Sequence, residues 1–184
     1  MPGTEPYTIT VSTISDNTQL LKNCWIVILH AHRTPPHAGV IINGHYYSLT
    51  IKGQELNVKA EVLLKTITQK KIETLAIQLI KQPVFSLDYQ EEIMEYHVKQ
   101  FHKVEAGKTT CLNPVKLFLQ EFYVLDYREN ELLFEIVERL KQNNYIYTTV
   151  GFNLNNVSET EISLPVYTSE KLQELIAKET GHTS

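Results

Sequence analysis

One stretch of the sequence decides the fold, and it reads His30-Ala31-His32-Arg33-Thr34-Pro35-Pro36-His37-Ala38-Gly39-Val40-Ile41-Ile42-Asn43-Gly44-His45-Tyr46-Tyr47-Ser48-Leu49. Pro35-Pro36 interrupts any strand, because proline cannot donate a hydrogen bond to a sheet. Asn43-Gly44 is a strong hairpin signal, because both central residues of the tightest hairpin turn need φ > 0. The stretch therefore predicts two antiparallel strands, residues 38–42 and 46–51, with His37 at the start of the first.

Apolar periodicity outside this hairpin predicts a mixture of strands and helices. The predicted strands are residues 7–11, 24–30, 72–80, 145–150 and 162–167, and the predicted helices are residues 59–67, 86–104, 114–123, 130–142 and 170–178. Asp88 and Glu91 predict a capping box near the start of the second helix, and Ser169 is expected to cap the last one. The alternation in residues 72–80 predicts one buried face. This mixture indicates an α+β fold, with an antiparallel sheet packed against helices in one domain over residues 1–184.

Composition and charge argue against several classes of protein function. The net charge is −4, which provides no basic footprint, so nucleic acid is not expected as a partner. No apolar run approaches the roughly 20 residues that span a bilayer, so no transmembrane segment is expected. Residues 1–6 lack the basic and apolar regions of a secretion signal, which predicts a cytoplasmic location. Two cysteines form no disulfide framework, and reduced thiols are expected, with a single bridge left open.

Cys111 is the candidate nucleophile. It lies just before a predicted helix start, where free amide groups and the helix dipole favour a thiolate. The alternative is that it is a small buried residue, as most free cysteines are. Cys24 heads an apolar strand and is expected to be buried and unreactive.

The histidines offer two kinds of chemistry. His37 opens a strand after the double proline, and a histidine held in this way can deprotonate a thiol. His30 and His32 lie two positions apart, and on a strand they would face one side and could bind zinc or iron. No acidic residue lies close to them before Glu55, so the site prediction includes no metal and no cofactor.

The hairpin and the cysteine together resemble a known family. The segment His37-Ala38-Gly39-Val40-Ile41-Ile42-Asn43-Gly44 resembles the H-x-G-[IV]-x-[IL]-x-[DG] hairpin of the circularly permuted papain-like thiol enzymes, the NlpC-type superfamily with its lecithin retinol acyltransferase-like branch. In that branch the histidine precedes the cysteine, and the cysteine opens a helix, as Cys111 does here. The resemblance covers about residues 22–123 and implies a permuted papain-like core with a C-terminal extension at about 128–184.

The resemblance also assigns roles to residues. It implies that Cys111 and His37 lie together, and that a polar residue on the strand after the turn orients the imidazole. Ser48 occupies that place, and it can form only a neutral hydrogen bond, whereas relatives use histidine, glutamate or asparagine. Thr110 stands where the acyltransferase branch has asparagine. We therefore expect the Cys111 thiol to titrate at a higher pH than in relatives, and activity to be modest.

The family resemblance implies a cysteine hydrolase or acyltransferase that acts on a peptide, amide or lipid-ester substrate through a thioester. Two alternatives stay open. One is a catalytically silent papain-like domain that binds a peptide or lipid in the cleft. The other is a small β-rich protein that binds a metal through His30 and His32. The sequence does not define the oligomeric state.

Overall fold

The computed structural model of this protein describes residues 7–12, 17–154 and 161–181. Its strands are β1 (Tyr7–Thr10), β2 (Cys24–Leu29), β3 (His37–Ile42), β4 (His45–Thr50), β5 (Gly53–Lys59), β6 (Thr74–Leu79), β7 (Ile146–Phe152) and β8 (Glu161–Leu164). Its α-helices are α1 (Ala60–Gln69), α2 (Leu87–Lys99), α3 (Leu112–Tyr123), α4 (Leu133–Gln142) and α5 (Ser169–Glu179), and a short 3-10 helix covers Asn17–Leu21. The predicted α+β class is confirmed.

Six of the strands form one antiparallel sheet in the order β5-β4-β3-β2-β6-β7. The predicted hairpin is present, and Asn43 and Gly44 have φ values of 50° and 85° at its turn. Strand β7 comes from the C-terminal part of the chain and pairs with β6, so that part completes the main sheet. Strands β1 and β8 form a separate two-stranded sheet.

The central strand β2 shows why the sheet needs cover on both faces. Alternate side chains of a strand point to opposite faces. Ile26 and Ile28 pack into the core formed with α2, α3 and α4, whereas Trp25 and Val27 pack into a second core with α1 and the 3-10 helix. All four side chains are at most 1% exposed. Helices therefore cover both faces of the sheet, and polar residues are excluded from β2.

A third apolar cluster lies beside the main core and involves the end of the chain. Leu49 of β4 and Val104 pack there against Tyr167, Leu172 and Ile176, of which the last two belong to α5. Cys111 is partly buried against both this cluster and the main core. Helix α5 is thereby placed beside the N-terminal end of α3.

Four details of the secondary structure correct the predictions. Strand β6 is buried on both faces, because it lies inside the sheet between β2 and β7. Strand β5 was not predicted, because it is a half-exposed edge strand with few apolar residues. Helix α2 begins after Ser86, whose hydroxyl accepts from the Tyr89 amide, and not at a box formed by Asp88. Thr168, not Ser169, caps α5.

The prediction that His30 and His32 face one side of a strand is wrong. Strand β2 ends at Leu29, and His30 has a left-handed φ of 52°, which interrupts the alternation of side chains. His30 and His32 therefore do not share a strand face.

Cys24 is 3% exposed, as expected for a core residue. None of the helices in the described part of the chain is both long and apolar enough to cross a membrane.

Candidate active site

Cys111 occupies the N-terminal end of α3, as predicted. The turn that precedes the helix is held by side chains, because Asn113 Oδ1 accepts from the Thr110 amide at 2.6 Å. The Thr110 hydroxyl accepts in turn from the Leu112 amide at 3.2 Å. Thr110 thus stabilises the helix start and uses the Leu112 N–H, which leaves the amide of Cys111 itself to interact with the thiol.

The thiol of Cys111 lies against the first residues of β3. Burial raises its pKa, while hydrogen bonds from the backbone of Ala38 and from its own amide, and then the charge of Lys116, act to lower it. This rise is relative to an ordinary cysteine, and its first cause is burial. The higher titration expected relative to enzymes with an acidic third residue stays a prediction. At neutral pH the resting side chain is therefore a thiol, and a base must remove its proton.

His37 and Cys111 line the same pocket, although they are distant in the sequence. His37 is the first residue of β3 and pairs in register with Leu29, the last residue of β2. Among the described residues, no hydrogen bond directly joins the two side chains; the imidazole instead bonds to Ser48. Catalytic hydrogen bonds are often long in unliganded sites and shorten when a substrate binds.

Ser48 holds the imidazole of His37, with Ser48 Oγ 3.2 Å from His37 Nε2. The contact is a diagonal one across the hairpin, because Ser48 faces Gly39 in the register of β3 and β4. His45, at the start of the same strand, points to a different partner, since its Nδ1 is 2.7 Å from Glu91 on α2. The structure therefore places Ser48 beside the histidine that it was predicted to orient.

Glu55 of β5 extends this contact and was missed by the sequence analysis. The Ser48 hydroxyl donates a hydrogen bond to the Glu55 carboxylate. Strand pairing shifts by one residue between Tyr46 and Ser48, a β-bulge that coincides with a φ of 52° at Asn57. Without the bulge, the pairing of Tyr46 with Val58 would continue and Ser48 would face Leu56. The only sequence signal is Asn57, a residue type that tolerates left-handed backbone.

The direction of these hydrogen bonds sets the tautomer of His37. A serine hydroxyl has a single hydrogen, and Ser48 donates it to Glu55. Ser48 Oγ can therefore only accept from the imidazole, so that Nε2 of His37 carries the ring proton and Nδ1 has the free lone pair. Burial lowers the pKa of His37, the charge of Glu55 acts to raise it, and His30 acts to lower it. The resting imidazole is neutral and has one basic nitrogen.

Lys116 is a second feature that the sequence analysis missed. It is 4% exposed on α3, and its ammonium donates to the Glu129 carbonyl at 2.8 Å. Burial lowers its pKa, and the nearby carboxylates, Glu131 first, act to raise it. Its charge favours the thiolate form of Cys111. A lysine at the fifth position of a helix has no sequence signal that distinguishes it from a surface lysine.

We expect Glu55→Gln to lower the pKa of His37 further, because the substitution removes the charge that raises it. The measurement is a proton NMR titration of the His37 ring in the wild type and the variant. Glu61→Gln, on the exposed side of α1, is the matched control and is expected to leave the titration unchanged. An unchanged or higher pKa of His37 in Glu55→Gln would contradict the proposed link through Ser48.

Comparisons with protein-family models, with curated proteins and with solved structures return no match for this chain. Within residues 7–12, 17–154 and 161–181, no group of three or more histidine, cysteine, aspartate or glutamate side chains is arranged to hold a metal ion.

Proposed function

We propose that the protein is a cysteine hydrolase or acyltransferase with a circularly permuted papain-like fold, in which Cys111 is the nucleophile and His37 the base. One observation carries the proposal. The hydrogen bonds from His37 to Ser48 and from Ser48 to Glu55 hold the imidazole in the tautomer that carries its proton on Nε2, which leaves Nδ1 basic. His37 lines the same pocket as the Cys111 thiol at the start of α3. The antiparallel sheet and the order of hairpin and cysteine helix support the fold assignment.

The chemistry follows from these positions. Nδ1 of His37 takes the thiol proton as Sγ of Cys111 bonds to the carbonyl carbon of an amide or ester. The Cys111 amide, at the start of α3, serves in this mechanism as a donor to the oxyanion that develops. The imidazolium then protonates the leaving amine or alcohol, and a thioester is left. Water or an acceptor amine then attacks the thioester carbonyl while His37 takes its proton. The carbon–sulfur bond breaks, the acid or the acylated acceptor leaves, and the imidazolium returns the proton to Sγ of Cys111.

Ser48 and Glu55 act through His37. As the imidazole becomes positive, the Glu55 carboxylate stabilises that charge through the intervening hydroxyl. Ser48 was predicted to be a weak, neutral partner of the imidazole, but its own hydrogen bond to Glu55 adds a negative charge behind it. The stabilisation of the imidazolium is weaker than in a direct imidazole–carboxylate contact, because the Ser48 hydroxyl lies between the ring and the charge.

The alternative is a catalytically silent domain that binds a peptide or lipid in the same pocket. Two observations favour it: burial raises the pKa of Cys111, and the thiol has no direct hydrogen bond to His37 in this structure. Both proposals place the ligand in the same pocket and differ only in the reactivity of the thiol.

Alkylation distinguishes the two proposals. With iodoacetamide at neutral pH, we expect Cys111 to be modified on the order of tenfold faster than Cys24, because His37 can remove its proton. His37→Gln keeps the size of the side chain and removes the base, so it separates basicity from mere exposure of Cys111. The rate at Cys111 is expected to fall in this variant and to stay constant at Cys24. Equal rates at Cys111 in the wild type and His37→Gln would favour the silent domain.

A further inference from the structure

The pocket beside Cys111 has a volume of about 310 Å³ and mainly apolar walls. One wall comes from the double proline and from Leu29. Another part of the lining comes from the C-terminal part of the chain, namely Tyr167, Leu172 and Ile176. These three side chains are 9%, 7% and 5% exposed, so they are fixed by the third apolar cluster. The C-terminal part thus contributes well-packed side chains to the lining of the pocket.

Charged side chains around the pocket already have partners within the protein. Arg33, from the segment between β2 and β3, forms an ion pair with Glu179 at the end of α5. Glu55 accepts the hydroxyl of Ser48. A charged ligand group would have to compete with these contacts, and burial of an uncompensated charge is costly. The pocket is therefore suited to a neutral ligand group.

We infer that α5 is the specificity element of this site and that the pocket takes a short, neutral aliphatic acyl group. The inference rests on the proposed function, because it assigns the acyl carbon to Cys111 and the chain to the wall made by Leu172 and Ile176. A water molecule occupies about 30 Å³ in the liquid, and a methylene group is of similar size, so the pocket holds about ten such groups. The carbonyl oxygen and the attacking or leaving group take about two of these places, so acyl chains of up to about eight carbons fit, and longer chains must leave the pocket.

A series of p-nitrophenyl esters with acyl chains of increasing length tests this inference. We expect kcat/KM to rise by up to about fourfold per added methylene, the value for full burial of the group, and to fall once the chain exceeds about eight carbons. Ile176→Trp fills the pocket and is expected to move the optimum to shorter chains. Lys178→Trp places the same side chain on the exposed side of α5 and is expected to leave the optimum unchanged.

Folding and chemistry are separated by two further measurements. If Ile176→Trp does not fold, Leu172→Ala enlarges the same wall and is expected to move the optimum to longer chains. Binding of octanamide and acetamide to Cys111→Ala, measured by calorimetry, needs no turnover, and octanamide is expected to bind more tightly. Preferential octanamide binding without turnover in the wild type would remove the proposed function and keep the pocket assignment. Turnover with no dependence on chain length, or equal effects of Ile176→Trp and Lys178→Trp, would overturn the inference about α5.

Discussion

Cys111→Ala is expected to lower kcat/KM for the hydrolysis of p-nitrophenyl octanoate by at least about 10³-fold, because it removes the proposed nucleophile. His37→Gln is expected to cost about 10²–10⁴-fold, the usual range for a general base. In the proposed mechanism the two residues act as a unit, so the double variant should be little worse than Cys111→Ala alone. The measurement is kcat/KM for the single and double variants under identical conditions.

Cys24→Ala is the matched control for the nucleophile. Cys24 is buried in β2, and burial raises its pKa far above the neutral range, so its thiol is not expected to take part in the proposed reaction. We expect this variant to lose some stability and to keep its activity. If Cys111→Ala keeps the wild-type rate, or if Cys24→Ala loses it, the assignment of Cys111 as nucleophile is wrong.

Gly39→Ala is expected to lower the free energy of unfolding by about 3 kcal/mol, at the upper end of the usual cost of overpacking. A Cβ at Gly39 would lie 2.5 Å from the Tyr46 ring and from its hydroxyl oxygen. Tyr46 is 1% exposed and is held in the core formed with α1, so the ring cannot move away. Thermal unfolding should show the loss as a decrease in Tm of roughly 6–12 °C.

Gly151→Ala is the matched control for Gly39→Ala. It also lies in a strand, and a Cβ there would meet Leu154 Cδ1, the end of a flexible side chain that can turn aside. A smaller loss of stability is therefore expected. In addition, Tyr46→Leu removes the aromatic ring, so Gly39→Ala should cost less in that background than in the wild type. Equal costs in the two backgrounds would show that contact with Tyr46 is not the cause.

Gly39 also connects stability with the site. Because Gly39 lacks a side chain, the ring of Tyr46, which belongs to the neighbouring strand β4, can lie over β3 at that position. A displaced ring would disturb the diagonal contact between His37 and Ser48. The glycine of the hairpin motif is thus explained by a close approach within the sheet, not by a turn.

The sequence by itself determined the hairpin and the two ends of the site. The Asn43-Gly44 turn defines the register of β3 and β4, and register decides that Ser48 lies diagonal to His37. Pro114 and the apolar periodicity that follows it indicate a helix whose start carries Cys111. These are local signals, since each depends on a few adjacent residues with restricted φ or on the spacing of apolar side chains.

Only the tertiary structure decided which residues contact Ser48 and which residues line the pocket of Cys111 and His37. Glu55 reaches Ser48 because a bulge near Asn57 shifts the pairing of β5 by one residue, and a shift of one residue exchanges the faces of a strand. Ile176 of α5 reaches the Cys111 pocket from the far end of the chain through burial in an apolar cluster. Burial has no direction and no fixed sequence separation, so periodicity can show that α5 has an apolar face but not which surface covers it.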